Sequence, residues 1–91
     1  MTGKARGSRK SVLITGGGSG IGEAAALRFN SEGYSVCLFD MNKAAIDRVK
    51  SKLNPKSGIL SFTGSVTNAN DVTNAVSAAT EAFGTLDCLL T

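Results

Sequence analysis

The chain of 91 residues contains no tryptophan and no histidine, one proline, one tyrosine and two cysteines, and aromatic side chains make up only 5% of it. Without histidine there is no imidazole to act as a base, and no catalytic group stands out in its place. Tyr34, the lone tyrosine, falls between a helix end and a strand and reads as a packing residue. No apolar run approaches the ~20 residues needed to cross a bilayer. The first ten residues are basic and free of acid. They lack the apolar core of a secretory signal and are too short and too poor in apolar residues for a transit peptide. Cys37 and Cys88 both fall in apolar strand-like runs. If those strands flank the first one, the thiols lie about 9.6 Å apart, twice the strand spacing, beyond the ~7 Å reach of a disulfide. The expectation is a pair of reduced core cysteines in a cytoplasmic protein.

Charge of one sign is also scarce. The net charge is +3, and it comes largely from Lys4, Arg6, Arg9 and Lys10. Without those four, six basic residues face seven acidic ones. The folded part is then close to neutral, with no basic face for nucleic acid. Residues 1–10 read as a solvated, flexible arm, and residues 11–91 as one small unit. Internal repeats and low-complexity segments are absent. An apolar content of 42% with 19% charged residues is ordinary for a globular chain.

What the chain has in quantity is glycine, eleven residues, and its densest stretch organises the rest. Val12-Leu13-Ile14 is a short apolar run ending in Thr15, and it breaks into Gly16-Gly17-Gly18-Ser19-Gly20-Ile21-Gly22. Glu23 to Leu27 follow, mostly strong helix formers. A buried strand, a glycine turn and a helix start, in that order, build a phosphate site. Bare backbone approaches the ligand, and the helix N-terminus offers unpaired N–H groups and a positive dipole. The spacing is G-x-x-x-G-x-G from Gly16, Gly20 and Gly22, unlike the general G-x-G-x-x-G fingerprint. A P-loop needs Lys-Ser/Thr after its last glycine, and Glu23 stands there instead. The alternative reading is a turn that only lets helix and strand pack closely.

The remaining chain alternates strands and helices. A helix over about Gly20 to Glu32 places Gly22, Ala25, Ala26 and Phe29 on one face, and Gly33 ends it in a left-handed cap. Ser35 to Phe39 is a second strand whose continuous apolar run suits burial on both faces of a parallel sheet. Asp40 closes it, eighteen residues after Gly22. Asn42 caps a helix carrying Ile46, Val49 and Leu53. Asn54 to Gly58 is turn chemistry. Ile59 to Thr63 gives a third strand, and Gly64-Ser65-Val66-Thr67 its exit loop. Asn68, with Asp71 three residues on, starts a helix carrying Val72, Val76, Ala79 and Phe83, and Leu86 to Thr91 gives a fourth strand. The order βαβαβαβ predicts an α/β, Rossmann-type doubly wound parallel sheet, incomplete, with strand order 3-2-1-4. Two helices are expected on one face and one on the other.

In such a sheet the ligand sits past the C-terminal strand ends, between strands one and four. Asp40 is placed there, where its carboxylate accepts from both ribose hydroxyls of an adenosine and repels a 2′-phosphate. Capping of the next helix is its alternative role. Thr15-Gly16-Gly17-Gly18-Ser19-Gly20-Ile21-Gly22 resembles the T-G-x-x-x-G-I-G cofactor motif of the short-chain dehydrogenases/reductases. The resemblance covers about residues 11–91, the first third or so of a typical member. It implies cofactor contacts from Gly16, Gly18, Ser19, Gly20, Ile21, Gly22, Asp40, Met41, Ser65 and Val66. NADP users often carry a basic residue at the position of Ser19 or Met41; neither is charged here, so NAD is the implied cofactor. Ser65 departs from the aspartate usual before Val66, which weakens a bond to the adenine amino group, while the Val66 N–H is free to meet the ring. Thr91 falls where the Asn-Asn-Ala-Gly segment begins.

The family's active site is a Ser, a Tyr-x-x-x-Lys pair and an Asn, all further along, and Leu38 stands four residues after Tyr34. No metal site is expected. The resemblance therefore implies the N-terminal fragment of an NAD-dependent oxidoreductase moving hydride between a small-molecule alcohol and a carbonyl, homo-oligomeric when complete, with neither nucleic acid nor membrane as a partner. The competing expectation is a non-catalytic nucleotide-binding or interaction module. An S-adenosylmethionine methyltransferase is more distant, since an acidic residue usually ends its first strand. Reading the transcript beyond Thr91 for Asn-Ala-Gly and Tyr-x-x-x-Lys separates the first two.

Overall fold

Val12, Leu13 and Ile14 are each at most 1% exposed, although their side chains alternate between the two faces of a strand. That is possible only where both faces are covered, and the computed structural model, which describes residues 10–90, covers both. The order is β1 (Ser11–Thr15), α1 (Gly20–Ser31), β2 (Ser35–Asp40), α2 (Lys43–Lys50), β3 (Ile59–Thr63), α3 (Ala69–Phe83) and β4 (Cys88–Leu90). The four strands form one parallel sheet in the order β3-β2-β1-β4, as the alternating pattern predicts.

The two faces separate cleanly. On one, Val12 and Ile14 of β1 and Val36 and Leu38 of β2 pack with Ala26 of α1 and Ile46 and Val49 of α2. On the other, Leu13, Cys37 and Phe39 meet Ala75 and Ala79 of α3. Each buried aliphatic or aromatic side chain contributes roughly 1.5–3 kcal/mol, so the two central strands anchor the structure. No helix among the described residues is long and apolar enough to cross a membrane.

Caps follow the sequence closely. Asn42 Oδ1 accepts from Ala45 N at 3.0 Å, and Asn68 Oδ1 accepts from Asn70 N and Asp71 N at 2.9 and 3.1 Å. Gly33, just past α1, has φ +88°, the left-handed value that a side chain resists. Asp71 departs from the expected capping pattern. Its carboxylate takes the Ser65 N–H at 3.1 Å, because the exit loop of β3 folds back over the start of α3.

Three other expectations are corrected, and the turn after α2 gains detail. The β4 ladder begins at Cys88, not Leu86, since Leu86 turns into the α3 face while the Asp87 carboxylate takes Ser11 N at 2.9 Å. Cys88 is exposed on that short strand, so only Cys37 is a core thiol; both are unpaired. Pro55–Ser57 forms a turn of 3-10 helix, with Asn54 Oδ1 accepting from Lys56 N. Lys10, assigned to the arm, joins the fold through its carbonyl, which accepts from Ser35 N at 2.8 Å. The rest of the arm, and Thr91, lie outside the described residues.

Candidate functional site: a glycine turn between two clefts

The glycine turn sits at the C-terminal ends of β1 and β2, as a doubly wound sheet requires. Its first hold is the strand beside it: Gly17 N donates to Phe39 O at 3.1 Å. Ser19 then organises the exit. Its N–H and hydroxyl both donate to Gly16 O, at 2.9 and 2.7 Å, and its Oγ accepts from Gly22 N at 3.1 Å. Ser19 is thus the N-cap of α1. Glu23 N is the donor to the N-cap carbonyl, at 2.7 Å. Gly20 and Ile21 precede it at the open end of the helix, where N–H groups and dipole favour an anion.

Two glycines are fixed by space. A Cβ on Gly22 would stand 2.0 Å from Gly16 O, so turn and helix touch there backbone to backbone. A Cβ on Gly18 would stand 2.6 Å from Ala45 Cβ, because α2 lies directly on the turn. Gly20 is different: a Cβ there meets nothing within 4 Å. Gly22, not Gly20, is thus the glycine on which the close approach depends, and Gly20 borders open space.

Asp40 ends β2 with its carboxylate turned toward the turn. Oδ2 accepts from Gly18 N and Oδ1 from Asn42 N, both at 2.9 Å. The bond to Asn42 is the capping role foreseen as an alternative, and the bond to Gly18 adds a tie between β2 and the turn. An ionised carboxylate has about four acceptor positions, so both oxygens keep capacity for a ligand.

Two clefts flank the turn. One, of about 160 Å³, is lined by Gly16, Phe39, Asp40, Met41, Gly64 and Val66. The other, of about 230 Å³, is lined by Ile14, Thr15, Ser19, Ile21, Gly22 and Leu90. Met41, Val66 and Ile21 are 71, 58 and 86% exposed, so large apolar side chains stand at both mouths with little packed on them. Ten sequence-selected residues therefore divide. Gly16, Asp40, Met41 and Val66 meet at the first cleft, and Ser19, Ile21 and Gly22 at the second. Gly18 has its N–H engaged with Asp40 and shapes the turn from inside. Gly20 borders open space at the start of α1. Ser65 turns into its own loop, with Oγ 2.7 Å from Thr67 Oγ1 and accepting from Thr67 N at 3.2 Å.

Three residues of the site's surroundings escaped the sequence reading. Glu23 pairs with Arg48 at 2.9 Å and Lys52 at 2.6 Å, joining α1 to α2 and its trailing turn. Those two hydrogen bonds, Lys52 first and Arg48 second, hold its carboxyl below the usual 4.5. Charge run alone gave no signal, because the partners lie 25 and 29 residues away. Tyr34 packs edge-on against Phe29, ring centroids 4.8 Å apart, at the opposite end of β2 from the turn, as its packing role predicts. A third and larger cleft, about 260 Å³ between Ser35, Pro55, Lys56 and Phe83, is also at that opposite end.

Residues 10–91 match the family model described as short chain dehydrogenase. Meso-2,3-butanediol dehydrogenase of Serratia marcescens is 41% identical over 81 residues, which cover 89% of this chain and 32% of that protein. Among solved structures, NAD+-bound xylitol dehydrogenase superposes with a TM-score of 0.82 at 34% identity, covering 88% of this chain and 31% of that one. The 3-ketoacyl-(acyl-carrier-protein) reductase from Brucella melitensis complexed with NADH gives 0.77 at 39% identity, covering 88% and 32%. The chain spans about a third of the length of the curated relatives it matches.

Proposed function

Because the chain belongs to the short-chain dehydrogenase family, we propose that it is the cofactor-binding part of an NAD-dependent oxidoreductase that moves hydride between a small-molecule alcohol and a carbonyl. The observation that carries this reading is the placement of Asp40. Its carboxylate is held by Gly18 N and Asn42 N at the rim of a cleft shared with Gly16, Met41 and Val66. An adenosine ribose beside it donates both hydroxyls to the carboxylate. A 2′-phosphate brings negative charge against negative charge, with no basic residue at Ser19 or Met41 to offset it.

The other parts fit the same ligand. Met41 and Val66 line the same cleft as Asp40, and in this reading they would border the adenine, with the Val66 N–H as a donor for the ring. With Ser65 engaged by Thr67, the exocyclic amino group has a weaker partner than a carboxylate. Gly20 and Ile21 at the N-terminus of α1 would hold the pyrophosphate, and Ile14, Thr15 and Leu90 line a second cleft that would take the nicotinamide, the group that supplies the hydride chemistry when bound. Two similar structures hold NAD+ or NADH, which supports the choice of dinucleotide. No residue of this chain is assigned a catalytic role. A homo-oligomer in the cytoplasm completes the reading, the compartment being supported by the two unpaired cysteines.

Calorimetric titration of the chain with NAD and with NADP tests the assignment. NAD is expected to bind at least about tenfold more tightly, the equivalent of one lost charge-assisted bond. Equal affinities, or a preference for NADP, remove Asp40 from the ribose.

A further inference from the structure

We propose that Arg48 is a positioning residue for the cofactor site: it holds the glycine turn by the Gly18 carbonyl and so keeps Asp40 presented to the ribose. The inference rests on the dinucleotide reading above and adds a residue on α2 to it.

Gly18 is held at both of its backbone groups. Its N–H goes to Asp40 Oδ2 at 2.9 Å, and its carbonyl faces Arg48 Nη2 at 3.4 Å. The other arm of the same guanidinium, Nη1, is 2.9 Å from Glu23 Oε1 in the first turn of α1. One planar group therefore spans the turn and the helix that follows it, a geometry that the two-armed fork of arginine supplies and a single ammonium does not. Ala45, one helical turn earlier on α2, already lies where a Gly18 side chain would stand, so α2 is seated on the turn and Arg48 reaches across it.

Charge gives this contact a second effect. Glu23 places a carboxylate, 17% exposed, in the first turn of the helix whose N-terminus faces the pyrophosphate. Left alone it would oppose the helix dipole as seen by an incoming anion. Arg48 and Lys52 neutralise it, and Arg48 alone of the two also touches the turn. A turn already in its binding shape costs less to order when the ligand arrives.

Three variants of the chain, titrated with NAD by calorimetry, test the role. Arg48→Ala is expected to bind at least about fivefold more weakly, with Arg48→Lys in between. Lys43→Ala, which removes an equal charge from the same helix and only breaks the exposed pair with Asp47, is expected to match the wild type. Nitrogen-15 NMR supplies a readout that lost stability alone does not move: without ligand, the Gly18 amide of Arg48→Ala exchanges faster relative to the amides of β1. Wild-type affinity in Arg48→Ala overturns the proposal, and so does an equal loss in Lys43→Ala. A wild-type chain that does not bind NAD overturns the dinucleotide reading itself, and the positioning role falls with it.

Discussion

Asp40 Oδ2 accepts the Gly18 N–H at 2.9 Å across 22 residues of sequence. This one bond ties the end of β2 to the middle of the glycine turn, so the residue proposed to select the ribose also shapes the loop beside it. Replacing Asp40 consequently has two effects. Asp40→Ala strands the Gly18 and Asn42 N–H groups and is expected to cost about 1–3 kcal/mol of stability, read from denaturant unfolding. Combined with Met41→Arg, it should also move the NAD-to-NADP preference by tenfold or more, on the order of the 1.5–3 kcal/mol of a charge-assisted bond. An unchanged cofactor ratio in the double variant removes Asp40 from cofactor selection.

The glycines of the turn should separate by position. Gly22→Ala forces a methyl onto the Gly16 carbonyl, a backbone atom that has no room to yield. A loss above ~3 kcal/mol is expected, visible as a large fall in thermal midpoint. Gly20→Ala meets nothing and opens a helix, so stability should hold or rise by up to ~1 kcal/mol. Gly20→Val should fold and yet lose NAD, because its side chain would occupy the space proposed for the pyrophosphate. Equal NAD affinity in Gly20→Val and the wild type refutes that placement.

Asn30 is a polar side chain inside α1, 9% exposed, with an unusual partner. Its Nδ2 donates to Asn54 O at 3.0 Å and its Oδ1 accepts from Asn54 N at 2.8 Å, copying a backbone pair. Asn30→Ala leaves both backbone groups wanting and should cost about 1–3 kcal/mol. Ser31→Ala, exposed on the same helix, should stay within ~0.5 kcal/mol. Equal unfolding midpoints for the two variants contradict the role assigned to Asn30.

The thiols should react at very different rates. Burial pushes the Cys37 thiol up to about 12, and Cys88 is exposed. At neutral pH the native protein should release one equivalent from a disulfide reagent quickly and the second only on unfolding. Two equivalents in the fast phase place Cys37 outside the core.

Acid sensitivity should trace to Glu23. Its folded-state pKa lies below 4.5, so its contribution is present in full above that value and is lost as pH falls through the lower folded value. Stability measured from pH 6 down to pH 3 should therefore decline less steeply in Glu23→Gln than in the wild type. Parallel declines assign the acid sensitivity to other carboxylates.

Legibility in the sequence followed the range of each interaction. The strand order, the caps at Asn42 and Asn68 and the end of α1 at Gly33 depend on period and neighbouring residues, and all stand as the residues imply. Asp40 and the turn were also visible together, because both fall at strand ends. The division of labour between Gly20 and Gly22 was hidden, since which glycine meets backbone depends on the angle at which α1 leaves the turn. Asn30, Arg48 and Lys52 were hidden for a related reason: each acts on a partner more than twenty residues away. Cys88 misled because an apolar run suggests burial, while a strand paired on one side by three residues leaves it exposed.

The strand order also dictates how this sheet has to assemble. β1 meets β2 after one helical crossover, but its other neighbour arrives much later; Ser11 waits for Asp87, 76 residues on. Among the described residues no hairpin shortens that search, since each of their ladders is parallel. Roughly tripling the loop to be closed adds only about 1 kcal/mol of entropy, yet it places β4 late in folding, after β1, α1 and β2 have formed a surface to receive it. On a ribosome the same order is the order of emergence, so the glycine turn is built before the strand that borders its second cleft exists.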